Sequence, residues 1–162
     1  MRTSLILRPA TRAELPAVLA LLADEETVVD PASVRVDEAY EHAFAAIVDD
    51  PRNEVLVLVE EADGAQGGES AVPTVLGCLQ ATYIPGLGKH GAERALIEAV
   101  RVRADRRGGG LGRQLMERAV ARARARGCAL VQLTSDKRRE DAHRFYASLG
   151  FARSHDGFKL SL

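Results

Sequence analysis

The segment from Ala95 to Met116, Ala-Leu-Ile-Glu-Ala-Val-Arg-Val-Arg-Ala-Asp-Arg-Arg-Gly-Gly-Gly-Leu-Gly-Arg-Gln-Leu-Met, constrains this chain more than any other. Its first half alternates and is rich in β-branched residues, as in a strand. The triple glycine then turns the chain, and an amphipathic helix opens as the turn ends. Glycines let the backbone curl so that successive N–H groups point inward. The first turn of the helix adds unpaired donors and the positive end of its dipole. Together these make a seat for phosphate oxygens. Arg106, Arg107 and Arg113 surround it with fixed positive charge.

Counting separates the kinds of phosphate motif. A P-loop needs Gly, four residues, then Gly-Lys-Ser/Thr. Here Gly112 is followed by Arg113 and Gln114, so no lysine reaches a γ-phosphate and no hydroxyl holds magnesium. A dinucleotide fingerprint needs Gly-x-Gly-x-x-Gly. Counted from Gly108 its last position is Arg113, and counted from Gly110 it is Leu115. Both registers fail. Arg107-Gly108-Gly109-Gly110-Leu111-Gly112 does fit Gln/Arg-x-x-Gly-x-Gly/Ala.

That hexapeptide, placed between a strand and a helix, resembles the acyl-coenzyme A pyrophosphate loop of the GCN5-related N-acetyltransferases (GNAT). Further matches follow in the family's order. Gly127 to Asp136 reads as the strand after that helix, and Asp141-Ala-His-Arg-Phe-Tyr-Ala-Ser-Leu-Gly-Phe151 resembles the family's fourth helix with its Phe-Tyr-x-x-Leu-Gly-Phe ending. Leu7 to Pro16 resembles the family's opening strand and first helix. The resemblance implies an α/β (α+β) GNAT fold. Its single mixed, mostly antiparallel sheet would have six to seven strands, flanked by about four helices. The strands before and after the glycine-led helix would splay apart.

Local signals place the elements. Strands are expected over Ser4–Arg8, Glu54–Glu60, Thr74–Tyr83, Glu93–Arg103 and Ala129–Ser135, with a terminal hairpin pairing Phe151–Ser154 with Gly157–Leu162. Helices are expected over Ala13–Ala23, behind a Thr11-x-x-Glu14 capping box, and over Val36–Val48, Gly110–Arg126 and Glu140–Leu149. Residues 25–33 read as an acidic loop and 62–73 as a flexible connection.

Bulk properties narrow the setting. At 162 residues, residues 1–162 are expected to form one N-acetyltransferase domain with a proper core. A net charge of −1 gives no global pull toward nucleic acid or an anionic membrane. No run approaches the roughly 20 apolar residues of a membrane span, and Leu5-Ile-Leu7 is too short for a signal segment. Cys78 and Cys128 sit in expected strands and read as small hydrophobes rather than a disulfide or metal pair. A cytoplasmic setting follows. His42, His90, His143 and His155 show no ligand spacing, so no metal site is indicated. The arginines Arg118, Arg122, Arg124 and Arg126 read as a solvated helix stripe, without the aromatic interleaving of an RNA site. The first 50 residues are acidic and residues 100–127 basic. That asymmetry suits a cationic substrate meeting an anionic cofactor, and equally a solvated surface with compositional drift.

The family's chemistry, transfer of an acetyl group from acetyl-CoA to an amine, sets three requirements. A primary amine has a pKa of about 10.4, so a carboxylate that takes its proton helps, most of all with a raised pKa of its own. The resemblance implies Glu98 for this role, an acid in an otherwise aliphatic strand. The departing thiolate needs an acid, and the resemblance implies Tyr146, whose reference pKa of about 10 keeps it protonated. The thioester arm needs holding, and the resemblance places it between the splayed strands. There the backbone of Val100 and Val102 would face Thr134 and Ser135, while Arg107, Gly108, Gly109, Gly110, Leu111, Gly112 and Arg113 bind the pyrophosphate. One position departs: many members carry Asn three residues before the alanine matching Ala142, and this chain has Arg139.

The resemblance favours a small-molecule amine as acceptor, of the aminoalkylphosphonate or aminoglycoside kind, with no nucleic-acid or membrane partner, and it allows a homodimer. Acetylation of a protein lysine or N-terminus, and a coenzyme A-binding regulatory module without turnover, stay open at this stage.

Overall fold

A computed structural model describes residues 3–24, 27–62 and 73–162. Most of the acidic loop falls within the described residues, but positions 25 and 26 lie outside them, as does nearly all of the 62–73 connection. In chain order the elements are β1 (Thr3–Pro9), α1 (Leu15–Ala23), α2 (Glu38–Asp49), β2 (Asn53–Ala62), β3 (Thr74–Ile84), β4 (Arg94–Val102), α3 (Leu111–Arg126), β5 (Leu130–Gln132) and α4 (Glu140–Ser148). The five strands lie in the order β1-β2-β3-β4-β5. Neighbours are antiparallel from β1 through β4, and β5 joins β4 in parallel.

Alternation in the strands builds the two layers. Leu56, Leu58, Leu76, Leu79, Ala95 and Ile97 face α3, whose Leu115 and Met116 are fully buried among them. Each such side chain contributes about 2 kcal/mol of transfer free energy. On the other face Val57, Val59, Val75 and Cys78 meet Val18 and Leu21 of α1, and Phe44 of α2 packs beside Leu15 and Leu19. Cys78 is buried and Cys128 half-buried, both as free thiols, and burial pushes the Cys78 thiol up to about 12. Among the described residues no helix is long and apolar enough to cross a membrane.

Glu14 is almost wholly buried. It accepts the Thr11 N–H at 2.9 Å and both terminal nitrogens of Arg8 at 2.5–3.0 Å. The expected capping pair therefore forms, but it closes a single 3₁₀ turn, Arg12–Glu14, and α1 starts after it.

Three expectations need correction. The described sheet has five strands rather than six to seven. The shortfall comes from residues 152–162, which form no hairpin: Phe158 and Leu160 are 96% and 87% exposed, and no strand pairing holds them. An isolated hairpin with nothing to pack against is marginal in water. The strand expected over Ala129–Ser135 shortens to Leu130–Gln132, because β4 lies alongside it only there. The arginine stripe is only partly solvated. Arg122 grips Glu54 with two hydrogen bonds, and Arg126 bonds Glu93 while lying 4.0 Å over the Tyr83 ring. These contacts clamp α3 to the sheet, and with the Arg122 hydrogen bond as the leading cause they hold the Glu54 carboxyl low.

Candidate active site

The site begins at an irregularity in β4. Gln80 of β3 pairs with Glu98, but Cys78 pairs with Arg101, so β4 carries one extra residue in this interval. Ala99 absorbs it at φ +53°, in the left-handed region that costs a non-glycine residue about 1 kcal/mol. The bulge turns β4 away from β5. Their parallel pairing covers Arg94–Leu96 with Leu130–Gln132 and stops two residues before Glu98. Beyond that point the strands are parted, as the sequence led one to expect.

Backbone direction then decides what faces the gap. The Arg103 N–H donates to Leu76 O of β3 at 2.8 Å. Alternation along the strand turns the N–H and C=O of Val102 and Val100 the other way, toward the opening. Two of those carbonyls are engaged: Arg107 Nε donates to Val102 O at 3.1 Å and Arg101 donates to Val100 O at 3.1 Å. Thr134, exposed, and Ser135, half-buried, follow the end of β5 in the chain. The Ser135 Oγ is sealed from solvent and has no hydrogen-bond partner among the described residues. A buried hydroxyl left unpaired is rare enough to mark a place where something else binds.

The turn after β4 is built to present amides. A 3₁₀ turn over Ala104–Arg106 uses the Arg106 N–H, and the Arg107 N–H reaches Ala104 O at 3.5 Å. Gly108 and Gly110 then take φ of +80° and +83°, and Gly110 caps α3 from the left-handed region, so the helix starts at Leu111 rather than at Gly110. The N–H groups of residues 108–113 find no backbone acceptor among the described residues, and the first helical bond runs from Gln114 N to Gly110 O. A row of donors at the positive end of a 16-residue helix is an anion seat. At Gly112 an added Cβ would meet the Phe145 ring of α4 at 3.4 Å, an ordinary packing distance.

The arginines of the turn are not aimed uniformly at the seat. Arg106 pairs with Glu60, and Arg113 with Glu117 and the Ser148 hydroxyl. Arg107 folds back on Val102 O and, at 3.5 Å, on Asp24.

Tyr146, on α4, packs between Phe145 and Phe151 with ring centroids 5.2 and 5.9 Å away. Burial raises its phenol above the ordinary tyrosine value, against the opposing charges of Arg139 and Arg101. It is a protonated donor at neutral pH. Glu98, by contrast, is exposed, so the burial expected of an acid in an aliphatic strand is absent. It lies where the pairing to β5 has already ended, on the face opposite Ile97.

Two participants were missed by sequence reasoning. Asp24, at the end of α1, is 5% exposed; its carboxylate accepts the Ala104 N–H at 2.9 Å and meets Arg107. Its only sequence signal was lost in the acidic run that follows it. The bulge at Ala99 carries no signal at all, since alanine does not advertise a left-handed conformation. Arg139, read as a departure, puts a positive charge near the Tyr146 phenol.

Parted parallel strands beside a glycine turn with free main-chain amides are the features that frame the comparison with known proteins. The chain belongs to the Acetyltransferase (GNAT) family, whose pattern residues 16–151 match. It is similar to the aminoalkylphosphonate N-acetyltransferase of Salmonella typhimurium, 41% identical over 56 residues, a stretch covering 35% of this chain and 36% of that protein. The structure is similar to that of a transcriptional regulator from Bacillus halodurans C-125, at TM-score 0.78 and 39% identity, covering 98% of this chain and 100% of the other. It shares its fold with an aminoglycoside acetyltransferase from an uncultured soil metagenomic sample, at TM-score 0.70 and 18% identity, covering 100% and 99% of the two chains.

Proposed function

We propose that this chain moves an acetyl group from acetyl-CoA to the primary amine of a small molecule, by direct attack with both reactants bound. The observation that carries the reading is the parting of β4 from β5 immediately upstream of six amides that have no backbone acceptor among the described residues. The residues fit the cofactor. Amides of Gly108, Gly109, Gly110, Leu111, Gly112 and Arg113 would hold the diphosphate, with the Arg107 side chain bracing the turn from behind. The N–H groups of Val100 and Val102 would hold the pantetheine arm, and Thr134 and the unpaired Ser135 hydroxyl supply donors on the far side. Bound there, acetyl-CoA supplies the activated acyl carbon.

The chain's own groups then handle two protons. Glu98, exposed at the mouth of the gap, accepts the proton that the ammonium must lose before its nitrogen can attack, directly or through one water. Tyr146 holds its proton at neutral pH and gives it to the sulfur as the carbon–sulfur bond breaks. The nitrogen, cationic once the carbon–nitrogen bond has formed, loses its second surplus proton to the Tyr146 phenolate, directly or through water, and the proton held by Glu98 passes to solvent, leaving amide and neutral thiol. Likeness to an aminoalkylphosphonate N-acetyltransferase supports a small acceptor that carries an amine.

A second reading draws on the likeness to the Bacillus halodurans transcriptional regulator: a coenzyme A-binding module with no turnover. A thiol-release assay with aminoalkylphosphonates, aminoglycosides and simple primary amines separates the two. Turnover with at least one amine is the expected result. Tight binding of acetyl-CoA with no thiol release across the panel would replace the first reading by the second.

A further inference from the structure

The connection between β3 and β4, residues 85–93, encloses a small cavity of about 80 Å³ at one end of the sheet. Gly86, Gly88, Lys89, Glu93, Arg94 and Leu130 line most of it. Arg94 is half-buried, yet its guanidinium has no ion pair and no hydrogen bond among the described residues. One of its terminal nitrogens lies 3.5 Å from the place an added Cβ would take at Gly86. Arg8, Arg101, Arg103, Arg106 and Arg122, the other half-buried arginines described, all have a partner. Taking a guanidinium part-way out of water without one is costly, and the group is shaped to take a carboxylate or phosphate. Lys89 adds a second cation without a partner among the described residues, and the N–H groups of residues 86–90 donate to none of them. Glu93, the acid on the lining, is already engaged by Arg126 at 3.0 Å and Arg52 at 4.0 Å. Lys89 and His90 both take positive φ, +53° and +55°. Strain of that kind in non-glycine residues gathers where ligands are clamped.

The cavity is one end of a strip that also holds Glu98. Ala95 and Ile97 are buried on the α3 side, so alternation turns Arg94, Leu96 and Glu98 to the opposite face. Thr82 and Gln80 of β3 flank Leu96 and Glu98 in register, and Gln132 of β5 flanks Leu96 from the other side. None of these is sealed: Leu96, Thr82 and Gln80 are half-buried, and Gln132 and Glu98 are exposed. α1 covers this face only farther along, over Val57, Val75 and Cys78. An open polar strip therefore runs from an unpaired guanidinium to a carboxylate. Four residues of strand put the two Cα atoms about 13 Å apart.

We propose that the cavity is an anion subsite, and that the acceptor is an amine whose acid group sits there on Arg94 and Lys89 while its nitrogen reaches Glu98. This rests on Glu98 acting as the proton acceptor. A ligand that spans the strip carries its acid group several bonds from its amine. Long ω-amino acids or ω-aminoalkylphosphonates are then preferred over short ones, and aminoglycosides, which have no acid group, leave the subsite empty.

Two measurements on the full chain test it. In the first, ω-aminoalkylphosphonates and ω-amino acids of matched, increasing chain length are titrated into ¹⁵N-labelled protein. Amide shifts should centre on residues 86–94, and Arg94→Gln should weaken binding about tenfold or more. Arg94→Lys, which keeps the charge, should recover part of it. Alkylamines of the same length should leave residues 86–90 unmoved. Tighter binding of the phosphonates would assign the subsite to a doubly charged group, and tighter binding of the amino acids to a carboxylate. Equal binding by the wild type and Arg94→Gln, or shifts confined to other residues, would overturn the proposal. The second measurement is thiol release. Arg94→Gln should raise KM for the long acidic amine about tenfold, with kcat nearly unchanged and no effect on the plain alkylamine. An equal loss with both acceptors would overturn the proposal by showing that Arg94 supports the fold and not the acid group. Arg94-dependent binding at residues 86–94 without thiol release from any amine would keep the subsite and remove the transfer reading instead.

Discussion

Asp24 and Ala104 stand 80 positions apart in the chain, and the Asp24 carboxylate accepts the Ala104 N–H at 2.9 Å. This contact ties the end of α1 to the turn that leads out of β4. The same carboxylate meets Arg107, whose Nε holds Val102 O. Asp24 therefore braces the glycine turn through its backbone and through Arg107.

Replacing Asp24 by alanine should loosen that turn. A hydrogen bond to a charged group contributes about 1.5–3 kcal/mol, so KM for acetyl-CoA should rise about tenfold or more while kcat moves little. Asp24→Asn keeps an acceptor for the Ala104 N–H and should recover part of the loss. Equal kinetics in all three proteins would show that the turn holds its shape without α1.

Adjacent glycines should differ in what they tolerate. Gly110 sits at φ +83° and Gly109 does not have a positive φ. Alanine at position 110 should lower stability by about 1 kcal/mol, measured by denaturant unfolding. Alanine at 109, where the nearest atom to an added Cβ is Arg106 O at 3.7 Å, should be close to neutral.

Tyr146→Phe removes the donor and leaves the aromatic packing with Phe145 and Phe151. Turnover should fall about 100-fold, and the dissociation constant for coenzyme A should stay within about twofold of the wild type. The sign of the pH effect follows from the raised phenol: the group is an acid below its pKa and ceases to be one as pH rises through it. The alkaline limb of the kcat profile should accordingly lie above the ordinary tyrosine value and vanish in the phenylalanine variant.

Glu98→Gln should lower kcat/KM about 100-fold at neutral pH while leaving coenzyme A affinity within about twofold, because the variant cannot take the amine's proton. Unchanged kcat/KM in the glutamine variant would assign that proton to another group or to water.

Stability should depend on acid through Glu14. Burial alone would raise its pKa, but the Arg8 hydrogen bonds and the Thr11 N–H outweigh it and hold the carboxyl below its ordinary value. A group lowered on folding adds stability above its unfolded pKa and loses that stability as pH falls through the folded one. Arg8→Ala should therefore cost about 3 kcal/mol at neutral pH, by leaving a buried charge without its partner. The gap between variant and wild type should narrow in acid, as the carboxyl takes up a proton and the partner's charge no longer matters.

Much of this arrangement was legible in the sequence because it rests on residue types with few uses. The glycines at 108 and 110 do adopt the left-handed conformations that only glycine takes easily, whereas Arg107, expected to bind the pyrophosphate, folds back on Val102 O and Asp24. The opening between the strands was expected from family likeness, while its cause, one alanine at φ +53°, was not readable, since nothing in Ala99 itself prefers that conformation. Glu98 looked buried because its neighbours are aliphatic; the bulge and the end of β5 pairing leave it exposed. The segment 152–162 was read as a hairpin from its turn residues and alternation, signals that specify a strand but not which sheet it joins. Asp24 acts across a long sequence separation, and only the folded chain brings it to the turn.

The central claim is that main-chain amides after β4 seat a diphosphate and so aim a thioester into the gap beside Val100 and Val102. Titrating the ¹⁵N-labelled protein with coenzyme A, and separately with pantetheine lacking the diphosphate, tests it most directly. The largest amide shifts with coenzyme A should fall on residues 108–113 and on Val100 and Val102, and pantetheine should leave residues 108–113 in place. Saturable coenzyme A binding that shifts other amides and leaves residues 108–113 unmoved would contradict the account.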